Sequence, residues 1–163
     1  MKKVVLAYSG GLDTTFCALH LTKDLGYEVH AVLINTGGFS GSELQEIESR
    51  ANGLGVASFT VLDVTKTYYQ EVLKYLVFGN VLKNATYPLS VSAERILQAK
   101  TLAEYAKKIG AKSVAHGSTG AGNDQVRFDM IFQTIVPDIE IITPIRDLKL
   151  SREEEIAYLK KHG

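Results

Sequence analysis

A single cysteine, Cys17, is all that the 163 residues contain, so no disulfide can form within the chain. No Cys/His cluster has the spacing of a zinc site either. Net charge is also missing, because 18 Lys and Arg balance 18 Asp and Glu. That balance removes the usual electrostatic signature of binding to nucleic acid or an anionic membrane. Long apolar runs are absent: after Met1-Lys2-Lys3 only five apolar residues precede Ser9, too few for the core of a signal peptide. Nothing approaches the roughly 20 residues needed to cross a bilayer. Internal repeats and low-complexity stretches are absent as well. What remains is ordinary globular composition, 45% apolar and 22% charged, at a length suited to one domain. The expected setting is a reducing cytoplasm, with neither nucleic acid nor membrane as partner.

Strand-like runs recur at Val4–Tyr8, Val29–Ile34, Ser58–Leu62, Ser113–Ala115 and Ile139–Ile142. Between and after them, helical patterns cover Thr14–Leu25, Glu43–Leu54, Thr65–Leu76, Ala93–Ile109, Val126–Ile135 and Arg152–Lys161. Ser42 with Gln45, and Ser151 with Glu154, have capping-box spacing. The stretch from Val77 to Val91 reads as a long irregular loop. Alternating strands and helices predict an α/β fold, a three-layer sandwich around a parallel sheet. Ligands of such folds collect at the carboxyl ends of the strands, where Ser9, Thr36, Asp63, Gly117 and Thr143 fall.

Two common phosphate loops fail. A P-loop needs a Gly-Lys pair, and none exists; a G-x-G-x-x-G fingerprint starting at Gly120 and Gly122 meets Gln125 at its third glycine. In their place stands AYSGGLDTT, residues 7–15, directly after the first strand and before a helix. Such a turn presents unpaired N–H groups at the positive end of a helix, a standing anion site. Gly10 and Gly11 would let those groups approach phosphate oxygens with no Cβ in the way. Ser9, Thr14 and Thr15 add hydroxyls, and Asp13 suits a magnesium ion, directly or through water, or orientation of the loop backbone. The plainer alternative is a helix cap on a tight turn.

A second constellation, AHGSTGAGNDQVRFD at residues 115–129, also follows a strand and opens a helix. Asn123 and Arg127 stand four apart on one face. Arg127 and Thr119 could take a carboxylate, and Asp124 an ammonium, as an amino-acid substrate requires; the alternative is a glycine-rich turn with a solvated helix start. A third segment, YPLSVSAERILQAK at residues 87–100, places Lys100 within an apolar stripe. A lysine there most simply snorkels to water, the alternative being a role near phosphate.

Together the three segments, with ITPIRDLKLSREEEIAYLKKHG at residues 142–163, resemble the argininosuccinate synthetase family over essentially the whole chain. GNDQVRF separates it from other enzymes that split ATP into AMP and pyrophosphate, which share SGG-x-D-[ST] alone. The resemblance implies the adenine nucleotide alpha hydrolase-like (N-type ATP pyrophosphatase) fold and use of ATP with Mg2+. It implies an ATP site made by Ala7, Tyr8, Ser9, Gly10, Gly11, Leu12, Asp13, Thr14, Thr15, Ile34 and Gly117. Tyr87, Ser92, Asn123 and Arg127 would hold citrulline, and Thr119, Asn123 and Asp124 would hold aspartate. No side chain is assigned as a general base. The resemblance also implies a further synthetase and oligomerisation domain beyond residue 163, and a homotetramer at full length. On that view residues 1–163 are the nucleotide-binding part, with negligible synthesis of argininosuccinate by themselves.

The sequence departs from the family at three positions of the site. Thr15 stands for Ser and keeps the hydroxyl, Ala121 stands for Lys and removes a cation, and Ile34 stands for a smaller residue beside the adenine. Two competing readings are a different ATP pyrophosphatase, such as an amide synthetase or tRNA-modifying enzyme, and a non-catalytic nucleotide-binding module. GNDQVRFD and the neutral charge stand against the first, and Asp13 with the amino-acid constellation against the second.

Overall fold

The computed structural model describes residues 1–162. In chain order its first half comprises β1 (Lys3–Ala7), α1 (Leu12–Lys23), β2 (Glu28–Asn35), α2 (Gly41–Gly53), β3 (Ser58–Asp63), α3 (Thr65–Tyr68) and α4 (Lys74–Phe78). The second half comprises β4 (Leu82–Lys83), β5 (Tyr87–Pro88), α5 (Ser90–Ile109), β6 (Ser113–Ala115), α6 (Asp124–Ile135), β7 (Glu140–Ile142), α7 (Pro144–Leu148) and α8 (Arg152–His162). Five strands form one parallel sheet in the order β3-β2-β1-β6-β7. The chain builds outward from β1 to β3, then returns to place β6 on the other side of β1. The order therefore switches direction between β1 and β6, where a crevice opens at the strands' carboxyl ends.

Alternation along β1 explains the three layers. Val4 and Leu6 point to one face and join Phe16, Leu21 and Ile47 of α1 and α2. Val5 points to the other and joins Leu102, Ala106, Phe128 and Phe132 of α5 and α6. All three strand residues are fully buried, each contributing about 1.5–3 kcal/mol of apolar burial. β1 is covered on both faces, which is why it reads as a continuous apolar run.

The expected elements are present with shifted ends and four local differences. The capping box of α2 is Ser40 with Glu43, not Ser42 with Gln45: Glu43 N–H donates to Ser40 Oγ at 3.3 Å, and Ser40 N–H donates to Glu43 Oε2 at 2.8 Å. Both spacings satisfy the motif, and the charged carboxylate is the stronger acceptor. The helix expected over Thr65–Leu76 holds a π-helical stretch at Tyr69–Leu73 between α3 and α4. The segment read as irregular contains the antiparallel ribbon of β4 and β5, turning at Asn84 and Ala85, both with positive φ. The short α7, with proline in its first turn, is too brief for a periodic pattern to reveal. The Ser151–Glu154 box forms as expected.

Candidate functional site

The turn from β1 into α1 is held by its own short polar groups. Ser9 N–H donates to Thr14 Oγ1 at 3.3 Å, and Thr14 Oγ1 donates to the Gly11 carbonyl at 3.2 Å. Arg50, reaching over from α2, donates to the Gly10 carbonyl at 2.5 Å. Gly10 has φ +76°, a left-handed conformation, and a Cβ there would meet Ile47 Cγ1 at 3.0 Å. Its missing side chain therefore serves the turn and the packing of α2, which corrects the expectation that it clears space for phosphate. Gly11, with φ −76° and only Ser9 Oγ near its notional Cβ at 3.5 Å, is the glycine that faces open space.

The opposing wall begins where β6 ends. Gly117 passes so close to α1 that a Cβ would stand 3.3 Å from the Asp13 backbone carbon. His116 is buried beside it. Its Nδ1 accepts from Ser118 N–H at 3.3 Å, so Nε2 carries the proton and donates to Asp129 Oδ1 at 3.0 Å. Burial lowers the His116 pKa against the opposing hydrogen bond to Asp129, keeping the ring neutral. Burial also raises the Asp129 carboxyl, but hydrogen bonds from Arg146 and His116 outweigh it and hold the group below its ordinary range. Arg146 Nη1 donates to Asp129 Oδ2 at 2.6 Å and Arg146 Nε to Thr143 Oγ1 at 3.2 Å. This chain of polar groups fixes the start of the glycine-rich segment.

Between the walls lies a cavity of about 700 Å³, in the range of nucleotide and cofactor sites. Of the residues named for the site, Ala7, Tyr8, Ser9, Gly11, Leu12, Asp13, Thr14, Ile34, Gly117, Thr119 and Asp124 line it. Thr36 lines it too, donating to Glu94 Oε1 at 2.7 Å. Gly10, Thr15, Tyr87, Ser92, Asn123 and Arg127 are not on its wall. Nor are Asp63, which accepts from Thr65 N–H, and Thr143. Ser92 and Arg127 stand just behind Asp124: Arg127 Nη2 donates to Ser92 Oγ at 2.9 Å and Nη1 to Asp124 Oδ1 at 2.5 Å. Arg95 adds a second contact to Asp124 at 3.3 Å. The reading that gave Asp124 an ammonium and Arg127 a carboxylate therefore meets a pair already joined to each other. Asn123 is the residue preceding α6, and Tyr87 sits on the β4–β5 ribbon, 53% exposed.

The sequence reading missed Glu94, Arg95, Gln98, His116, Ser118 and Arg152 as wall residues. Arg95 lies inside a quoted segment but carried no motif signal, and Arg152 lies far along the chain from both loops. Asp13 has a further neighbour from the same helix as Arg152. Glu155 is buried against it, and burial, then the Asp13 charge, push the Glu155 carboxyl up to about 7. Burial and the same two carboxylates push the Cys17 thiol up, so that it stays protonated. Among the described residues no group of three His, Cys, Asp or Glu side chains could hold a metal ion by itself. One carboxylate at a phosphate loop fits magnesium, which keeps waters and binds substrate phosphates. Among the described residues no helix is long and apolar enough to cross a membrane.

Comparison with known proteins bears on the fold and the family. Among solved structures, a predicted subunit of tRNA methyltransferase from Methanocaldococcus jannaschii superposes with a TM-score of 0.58 at 20% identity, over 90% of this chain and 69% of that one. An NH3-dependent NAD synthetase from Campylobacter jejuni gives 0.55 at 16% identity, over 72% and 47%. These likenesses speak for the fold alone, the adenine nucleotide alpha hydrolase-like arrangement. In sequence, argininosuccinate synthases of Prochlorococcus marinus and Bacillus licheniformis are 41% and 42% identical over 162 residues, 99% of this chain. The chain spans about 40% of the length of these relatives. Residues 3–163 match the family described as arginosuccinate synthase N-terminal HUP domain, and the chain belongs to that family.

Proposed function

We propose that this chain is the nucleotide-binding part of an enzyme that joins citrulline to aspartate, turning ATP into AMP and pyrophosphate and releasing argininosuccinate. One observation carries the reading: a phosphate-type turn and the glycine-rich segment after β6, through Gly117, Thr119, Gly122 and Asp124, line one cavity at the switch point of the sheet. In the reaction the citrulline ureido oxygen bonds to the α-phosphorus while the α–β bridging P–O bond breaks, and pyrophosphate leaves with the electron pair. The aspartate amine then bonds to the ureido carbon of citrullyl-AMP, loses a proton to water and expels AMP.

The N–H groups and hydroxyls of Ser9, Gly11 and Thr14 would exchange their bonds within the turn for the triphosphate oxygens, with the Ile34 backbone near adenine and Gly117 along the nucleotide. Thr119, Asn123 and Asp124 would hold aspartate. Tyr87, Ser92, Asn123 and Arg127 would hold citrulline, which requires the β4–β5 ribbon to fold toward the cavity and part of the Arg127–Asp124 pairing to open. Magnesium, carried in with the phosphates and steadied by Asp13, would neutralise their charge. Such chemistry depends on alignment and charge more than on a side-chain base. We place the enzyme in the cytoplasm and expect a homo-oligomer at full length, with residues 1–163 alone nearly inactive. The test is product analysis on the full-length protein. ATP consumption that requires citrulline and yields AMP and pyrophosphate supports the reading, and ADP with phosphate overturns it.

A further inference from the structure

Both loops that face the nucleotide lack a cation. Residues 7–15 contain none, and residues 117–123 contain none, position 121 being alanine. Asp13 adds negative charge to the same wall. Two arginines line the cavity, Arg95 and Arg152. Arg95 is engaged by Glu94 at 3.6 Å and Asp124 at 3.3 Å. Arg152 joins no ion pair among the described residues, although it lies close enough to Glu155 to act on its charge. Of the arginines on the wall, Arg152 is therefore the one without an ion pair among the described residues, while Arg50 stands behind the turn on the Gly10 carbonyl.

The position of Arg152 is built into the fold. It opens α8, which is clamped along α1: Tyr158 Oη donates to Asp24 Oδ2 at 2.7 Å, the Phe16 and Tyr158 rings meet at 4.8 Å, and Lys23 Nζ donates to the His162 carbonyl at 3.2 Å. Three residues on from Arg152, Glu155 is buried against Asp13. The start of α8 is thus tied to the aspartate of the phosphate turn.

We propose that Arg152 is a phosphate-contact residue whose guanidinium takes the β- and γ-phosphoryl oxygens of ATP and holds pyrophosphate as it leaves. The proposal rests on the nucleotide reading of the cavity. α8 packs on the α1 face of the sheet, whereas the amino-acid constellation opens α6 on the opposite face. The attacked α-phosphorus must sit toward α6, which leaves the β and γ groups toward α1 and α8. A guanidinium forks onto two phosphate oxygens at once. Its positive charge then stands where negative charge grows as the bridging bond breaks. The loop's neutral N–H and hydroxyl groups orient the same oxygens.

The experiment is calorimetric titration of Mg-ATP, Mg-pyrophosphate and AMP into the wild-type protein, Arg152→Ala and Arg152→Lys. Arg152→Ala is expected to lose roughly 10- to 100-fold in affinity for pyrophosphate and ATP. AMP affinity and melting temperature should stay unchanged, and Arg152→Lys should recover part of the loss. Unchanged pyrophosphate affinity in Arg152→Ala, or an equal loss for AMP, overturns the proposal while leaving the nucleotide reading intact. A wild-type protein that takes up neither ATP nor pyrophosphate overturns the nucleotide reading itself. Should Arg152→Ala fail to fold, Arg152→Gln supports the same comparison with a side chain of similar reach.

Discussion

The two walls of the cavity do similar work by opposite means. The β1–α1 turn closes on itself: Ser9 and Thr14, five residues apart, hold each other, and one helix supplies the N–H groups. The β6–α6 wall is held from outside. His116 leans on Asp129, Asp129 on Arg146 and Arg146 on Thr143 of the next strand-to-helix connection, while Arg95 from α5 reaches Asp124. A wall made of local bonds is sensitive to backbone shape. A wall made of long-range polar contacts is sensitive to the loss of a partner, above all at buried His116, whose N–H would be left without an acceptor.

The largest expected effect separates the two glycines of the first wall. Gly10→Val forces a branched residue into a left-handed conformation and into Ile47, and should cost about 2–5 kcal/mol of stability in denaturant titration. Gly11→Val should change stability far less, yet lower ATP affinity by roughly tenfold or more, since its side chain enters the space where phosphate approaches. Equal destabilisation by both would mean that the turn has no phosphate-facing glycine. On the second wall, Asp129→Ala strands the His116 N–H and frees Arg146, which should cost about 1–3 kcal/mol and loosen the Ser118–Thr119 segment. Thermal unfolding together with hydrogen exchange at Ser118 and Thr119 checks this, and a variant as stable as wild type shows that the network is ornamental.

Glu155 links the first wall to α8 and gives it a pH dependence. Its folded pKa of about 7 lies above the ordinary carboxylate value of 4.5, so the folded protein keeps a proton that the unfolded chain has already lost. The stabilising share of this group is complete below about pH 4.5 and is lost as the pH rises through about 7. Without nucleotide, Glu155→Gln should remove that slope and gain on the order of 2 kcal/mol at pH 8, read from unfolding curves at several pH values. The smallest effect lies outside both walls. Lys100 is 3.6 Å from Glu71 with both side chains well exposed, so Lys100→Ala should stay within about 0.5 kcal/mol of wild type and leave ATP affinity unchanged.

The first wall could be read almost entirely from AYSGGLDTT, because turn chemistry acts over a few residues and leaves its mark in adjacent positions. Even there the reason for Gly10 was hidden, since Ile47 is brought over it only when α2 docks. The second wall showed its glycines and polar residues but not their partners. Asp129 lay at the edge of the quoted segment, and nothing in its spacing announced Arg146. The pairing of Arg127 with Asp124 was open to view at a separation of three residues along one helix, yet the roles assigned to them took each as free.

Apolar runs of strand length, amphipathic helices between them and the loop after the first strand determined the layered fold, the element order and the phosphate-type turn. These are consequences of backbone geometry and of which face must leave water, and both act through neighbours in the chain. The tertiary structure alone decided which charges are committed and which remain for a ligand. Asp24 and Tyr158, 134 residues apart, fasten α8 to α1, and that contact carries Glu155 onto Asp13 and Arg152 into the cavity. Charge–charge interaction depends on distance in space and on burial, and neither quantity is written in the spacing of residues along the chain.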